Sequence, residues 1–187
     1  MRVALLCAYE KTDALADLAR ALKARGWELL ASAGTKKFLD EREIASIDVS
    51  TIVGEPILGH RVVTLSREIH AGLLARPTDE AELQRLGIRR IDLVYVDLYP
   101  LEEEIARSDA TEASIIEKTD IGGPALLRSA AKGRRIVLSS PAQFEQALAY
   151  IDTNQENKKY LASLAAEAEQ TAATYSGASA NACRQFS

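Results

Sequence analysis

The stretch Thr119-Asp120-Ile121-Gly122-Gly123-Pro124 sets a carboxylate and a paired-glycine turn immediately before apolar Leu126, Leu127, Ala130 and Ala131, with Lys132 beyond them. Pro124 stands where the first turn of a helix tolerates a missing N–H, and the apolar residues recur at helical spacing. A helix that starts there points free backbone N–H groups and the positive end of its dipole at whatever lies in front. The glycines let a ligand come close to the backbone. The chemistry that fits is stabilisation of negative charge beside a carboxylate. Lys132 lies about two and a half turns further on, roughly 12–14 Å along the axis, and joins such a site only if the helix is short or bent. The plain alternative is a Gly-Pro loop with a well-packed helix behind it.

Three other places offer ligand chemistry. In Ser32-Ala33-Gly34-Thr35-Lys36, small residues between a strand end and a helix start leave room for a phosphate, with the Ser32 and Thr35 hydroxyls and Lys36 as donors. The alternative is an N-cap by Ser32 or Thr35 with Lys36 in solvent. The segment 54–66, with Gly54, Pro56, Gly59, His60 and Arg61, is too long for a simple connector, and Arg61 is its strongest anion donor unless it merely sits in solvent. Asp97-Leu98-Tyr99-Pro100 follows the apolar run 91–97, so an Asp and a Tyr fall at a strand's C-terminal end, where open α/β sheets place their crevice. Tyr99 donates or accepts a proton there, or else caps the core as an aromatic. His70, among apolar neighbours, is either a ligand contact or a packed, hydrogen-bonded histidine.

The elements that must position these residues alternate. Residues 2–8 form a short apolar run suited to a strand buried on both faces. Leu15, Leu18, Ala19 and Leu22 mark an amphipathic helix that Gly26 stops. Strands are predicted at 27–31, 47–50, 91–97 and 135–138, with helices at 36–41, 79–86, 101–106, 113–118 and from Pro141 through Ile151. Strand-helix alternation of this kind predicts an α/β class and a parallel sheet with right-handed crossovers. The Ala-, Glu- and Lys-rich remainder, 153–178, predicts a long helix packed on the domain or on a partner.

The formal net charge of −4 and pI near 5.3 argue against a general nucleic-acid binder, so a bound phosphate meets a local pocket. Cys7 and Cys183 have no metal-ligand spacing, there is no Cys/His cluster for zinc, and no apolar run of about 18 residues would cross a membrane. The expectation is one domain over 1–187 in a reducing, cytoplasmic compartment.

In order along the chain, Glu10-Lys11-Thr12, Ser32-Ala33-Gly34-Thr35, Arg61-Val62-Val63-Thr64-Leu65 with His70-Ala71-Gly72, Asp97-Leu98-Tyr99-Pro100, Asp120 to Lys132 and Thr171-Ala172-Ala173-Thr174-Tyr175 resemble the IMP cyclohydrolase module. That module is the N-terminal half of the bifunctional purine biosynthesis protein that also carries a formyltransferase half. The resemblance covers nearly the whole chain, and its most specific part is 120–132. It implies a methylglyoxal-synthase-like, three-layer α/β domain: a mostly parallel central sheet flanked by helices, with a long C-terminal helix over 153–180 packed on it. It implies closure of the formylated aminoimidazole carboxamide ribotide, FAICAR, to inosine monophosphate with loss of water. No cofactor or metal is implied, a homodimer is, and a separate formyltransferase is expected. Carried over by motif, Lys11, Ser32, Gly34, Thr35 and Arg61 hold the ribose phosphate with Thr64 nearby. Lys36, Asp97, Leu98 and Gly123 join the substrate-binding set. Tyr99, Asp120 and Lys132 move protons and stabilise charge, and the Ile121 and Gly122 N–H groups face the reacting carbonyl.

Three departures bear on activity. Val63 stands where the family has a lysine, Ala33 adds a methyl where the phosphate approaches, and Asp97 replaces an asparagine. Losing one charged donor from a preorganised site typically costs about 10²- to 10³-fold in rate. Arg67 and Lys36 are the candidate replacements. The rival reading is therefore a catalytically weakened nucleotide-binding or regulatory module on the same fold. A phosphate-eliminating enzyme like methylglyoxal synthase is the third reading, and its acidic pattern is not found here.

Overall fold

The run Val3–Cys7 becomes β1, with its first four residues buried, and the rest of the sheet is laid on either side of it. The computed structural model describes residues 1–58 and 61–186, so Gly59 and His60 of the 54–66 loop lie outside the described residues. After β1 come α1 (Asp13–Ala24), β2 (Glu28–Ala31), α2 (Ala33–Asp40), β3 (Ile47–Asp48), α3 (Ser50–Val53), α4 (Arg67–Leu74) and α5 (Glu80–Leu86). Then follow β4 (Leu93–Val96), α6 (Leu101–Ala106), α7 (Glu112–Lys118), α8 (Gly122–Lys132), β5 (Ile136–Leu138), α9 (Phe144–Thr153) and α10 (Lys158–Gln185).

The five strands are all parallel in the order β3-β2-β1-β4-β5. Leu5 pairs with Leu30 on one side and Val94 on the other, and Val94 in turn pairs with Val137. All four of these partners are buried, as strands covered on both faces require. The chain winds outward from β1 through β2 to β3, then returns to the other side of β1 as β4. Strand order therefore reverses between β1 and β4, and the crevice beyond their C-terminal ends is the position where such sheets bind ligands.

The structure moves three predicted boundaries. α2 begins at Ala33 rather than near residue 36, so Gly34 and Thr35 belong to its first turn. The last helix does not start at 153: α9 runs to Thr153, Asn154 takes a left-handed conformation, and Asn157 caps α10 by accepting the Tyr160 N–H at 3.0 Å. The far end of α10 moves too, from the expected 178 to Gln185. Leu161, Leu164, Ala165, Ala168, Ala172 and Tyr175 form its buried stripe at i, i+3, i+4, i+7 spacing, and it lies along α8 and β5. Small alanines on this stripe let the long helix sit close to α8.

Candidate active site at the strand ends

A cavity of about 440 Å³ opens at the reversal point. It is lined by the ends of β1 (Cys7, Ala8), β2 (Ser32), β3 (Asp48) and β4 (Val96, Asp97), and by the start of α8. Parallel strands put every C-terminus on one edge, so residues far apart in the chain meet here without any long-range pairing of their own.

The β1–α1 turn is held by Asp97. Its two carboxylate oxygens accept the Tyr9 N–H at 2.5 Å and the Glu10 N–H at 2.8 Å. The turn in turn places Lys11, whose ammonium donates to the carbonyls of Ala8 and Tyr9 and points at Gly34, 3.6 Å from where a Cβ on that glycine would stand. One of its three N–H donors is left for a ligand. Burial lowers the Lys11 pKa, with Asp97 pulling the other way. Asp97 thus anchors the loop while also bordering the cavity.

Opposite lies the start of α8. Asp120 Oδ2 accepts the Gly123 N–H at 3.1 Å, and the Asp120 N–H donates to the Tyr175 hydroxyl at 2.7 Å. Tyr175 Oη also donates to Lys118 O, so α10 pins the turn from behind. A Cβ on Gly123 would collide with Asp120 Oδ2 and Leu98 Cδ2, which is why glycine is required there. A Cβ on Gly122 would stand 3.0 Å from Thr64 Oγ1. Among the described residues the Ile121 and Gly122 N–H groups meet no acceptor within the chain, and Gly122 borders the cavity.

Tyr99 borders the same cavity. Its ring meets Tyr9 edge-on at 5.0 Å between centroids, the Lys118 ammonium lies 4.9 Å from its ring centre, and its hydroxyl donates to Glu104 Oε2 at 3.3 Å. Glu104 is buried at 4% exposure. Burial first and Glu104 second raise the Tyr99 pKa, so the phenol keeps its proton. The Cys7 thiol is pushed up to about 12 by burial and is no thiolate nucleophile.

Of the residues singled out in the sequence, the cavity brings together Ser32, Gly34, Arg61, Thr64, Asp97, Tyr99, Asp120, Gly122 and Gly123. Arg61 is exposed and paired with Glu117 at 3.0 Å. The others stand apart. Lys132 ends α8, and ten helical steps from Gly122 put it about 15 Å away along an unbroken helix, exposed at the opposite edge of the sheet. Within one chain it does not border the cavity that holds Tyr99 and Asp120, so of the three residues expected to move protons the structure brings these two together. Lys36 turns along α2 to Asp40, with contacts of 2.6 and 2.7 Å, because that carboxylate lies one helical turn on. Thr35 is fully buried and accepts the Ala8 N–H at 3.0 Å, tying β1 to α2 instead of facing a ligand. Leu98 packs on the core, and the Ile121 side chain is 62% exposed. His70 follows the packed reading: Nδ1 lies 2.7 Å from Ser129 Oγ, away from the cavity. Val63 both lines the cavity and packs on the core.

Tyr9, Asp48, Glu104 and Tyr175 were missed as site residues. Glu104 sits in a run of three glutamates, and nothing linear marks which of them turns inward. Tyr175 carried a signal, since its segment matched the expected pattern without a role attached.

A model of the MGS-like domain matches residues 14–125, more than half of the chain, and the chain belongs to that family. It is 43% identical over 178 residues to the bifunctional purine biosynthesis protein PurH of Lactiplantibacillus plantarum, covering 92% of this chain and 35% of that one. The PurH of Thermosynechococcus vestitus is 49% identical over 151 residues, 77% of this chain and 29% of its own. A crystal structure of ForH matches with a TM-score of 0.83 at 30% identity over 97% of this chain and 98% of that one. Within the MGS-like family the chain is a PurH-type module, and it spans about a third of the length of the curated relatives it matches. The resemblance and the fold read from the sequence both hold. No helix among the described residues is long and apolar enough to cross a membrane.

Proposed function

We propose that the chain is an IMP cyclohydrolase, closing FAICAR to inosine monophosphate with loss of water. The observation that carries this reading is the convergence of Tyr99, Asp120 and Gly122, whose N–H is free, on one cavity that also holds Ser32, Gly34 and Arg61. In the reaction the carboxamide nitrogen attacks the formyl carbon, the formyl oxygen gains negative charge, and that oxygen leaves as water once two protons reach it. Ser32, Gly34, Lys11 and Arg61 anchor the phosphate, which fixes both reacting ends of one molecule in place. The Gly122 N–H stabilises the oxyanion. Asp120 takes a proton from the attacking nitrogen, and the Tyr99 phenol delivers one to the oxygen. The proton held by Asp120 then makes that oxygen leave as water, and the formamide N–H proton, lost as the C=N bond forms and the C–O bond breaks, restores Tyr99.

Val63 leaves this site without one family cation, which sets the expected rate about 10²- to 10³-fold below that of a lysine-bearing module. Incubation of purified protein with FAICAR, followed by the absorbance of the product, tests the reading. Turnover above the uncatalysed rate supports it. Tight nucleotide binding without product assigns the chain instead to the non-catalytic class.

A further inference from the structure

The opposite edge of the sheet carries a second concavity that the cyclisation does not use. A hollow of about 560 Å³ is lined by Arg2, Arg76, Arg90, Lys132, Arg134 and Arg135, against only Asp92 and Glu156 on the acidic side. Lys132 and Arg134 also border an adjoining hollow of about 690 Å³ beside α10, so the two form one trough with these cations on the ridge between them. Six cations converge in a chain whose formal net charge is −4.

Their pairing is uneven. Arg76 is held by Asp79, and Arg90 by Asp92 at 3.1 Å. Arg2 instead donates to the neutral amide oxygen of Asn154 at 2.9 Å and stacks 5.6 Å from the Trp27 ring centre. Arg135 is 5% exposed, and Nε and Nη2 of its guanidinium donate to the carbonyls of Leu73, Gly72 and Ala75, which use three of its five N–H groups and leave its charge unpaired. Burial, with Arg90 beside it, pulls the Arg135 pKa down to about 10. Among the described residues Lys132 and Arg134 meet no carboxylate. The backbone adds an independent sign. Arg134 adopts φ of 53°, a left-handed conformation that glycine takes freely and a long side chain takes at a cost, while the preceding Gly133 has an ordinary helical φ. The position that favours glycine is held by a cation that borders both hollows.

Lys132 alone has a simpler explanation, as a cation in the last turn of α8 facing the negative end of its dipole. That account does not extend to Arg2, which comes from the N-terminus; Arg134 gives the helix end one long contact, Nη1 to Ala131 O at 3.4 Å, and its other guanidinium N–H groups meet no acceptor among the described residues. We propose that this trough is a second anion site that takes a multiply charged phosphate compound, its phosphates between Arg134, Lys132 and Arg2. A concave, elongated floor suits a small phosphorylated molecule better than the convex face of a protein. This proposal is independent of the reaction assigned to the other edge.

Titration with inorganic pyrophosphate, followed through the backbone amide signals of the whole chain, separates the two edges. Saturable shifts at Gly133, Arg134 and Asn154 are expected, distinct from any at Gly34 and Gly122. Arg134→Gly removes the charge and relieves the left-handed strain, so that variant keeps its fold. It is expected to bind pyrophosphate at the trough about tenfold more weakly. Raising the salt concentration is expected to weaken binding further. Absence of saturable shifts at the trough, or equal affinity in Arg134→Gly, overturns the proposal.

Discussion

Asp97→Asn restores the residue that the family resemblance leads one to expect, yet the structure predicts that it damages the site. Both carboxylate oxygens accept backbone N–H groups of the turn that carries Lys11. An amide keeps one oxygen acceptor and turns an NH₂ group toward the other N–H. One charge-assisted bond is lost and its partner becomes neutral, at about 1.5–3 kcal/mol for a bond to a charged group. Tyr9 is half exposed, so water recovers part of that, and about 2 kcal/mol is the net expectation. Because ordering this turn precedes phosphate binding, the same energy appears as roughly 30-fold weaker affinity for IMP. In a chain of this size it also appears as a fall of about 4–8 °C in Tm. Calorimetric titration of wild type and variant with IMP, together with thermal melts, reads both quantities. Equal or tighter IMP binding with an unchanged Tm refutes the argument that Asp97 serves the loop.

Gly123→Ala forces a methyl into Asp120 Oδ2 and Leu98, and is expected to cost about 1–3 kcal/mol in unfolding titrations and most of the turnover. Tyr99→Phe removes the proton donor but keeps the ring contacts with Tyr9, so steady-state assays should show kcat falling about 10²-fold or more with KM little changed. Glu104→Gln keeps an amide oxygen but removes the buried charge, and should lower the Tyr99 pKa when the phenol is followed by its ultraviolet titration. His70 has its pKa lowered by burial, so as pH falls the unfolded chain protonates first. Its contribution is present above about pH 6.5 and is lost as pH falls through the lower folded value. Denaturant unfolding between pH 7.5 and 5 should therefore show a steeper loss for wild type than for His70→Gln.

Local pattern carried the fold. The apolar runs at 2–8 and 91–97 and the helical stripe from Leu15 to Leu22 are nearest-neighbour signals, and each appears where expected. Glycine and proline punctuation placed the start of α8 correctly. What the sequence left hidden is set by partners distant in the chain. Thr35 reads as a phosphate donor until its hydroxyl is seen against Ala8, and Lys36 until Asp40 takes it. The reach of Lys132 was legible as arithmetic: it could join Asp120 only on a short or bent helix, and α8 runs unbroken from Gly122 to Lys132. Asp97 and Glu104 are opposite cases: a residue type noted as a departure that anchors a distant turn, and a glutamate that only the packed chain shows to be buried, its carboxylate accepting from Tyr99 and Arg107.

Crystallisation of the chain with IMP tests the central claim most directly. The account predicts the ribotide in the cavity at the reversal point, its base beside Tyr99 and the Gly122 N–H and its phosphate among Ser32, Gly34 and Arg61. A ribotide seated instead in the trough around Lys132 and Arg134, with the reversal-point cavity empty, contradicts it.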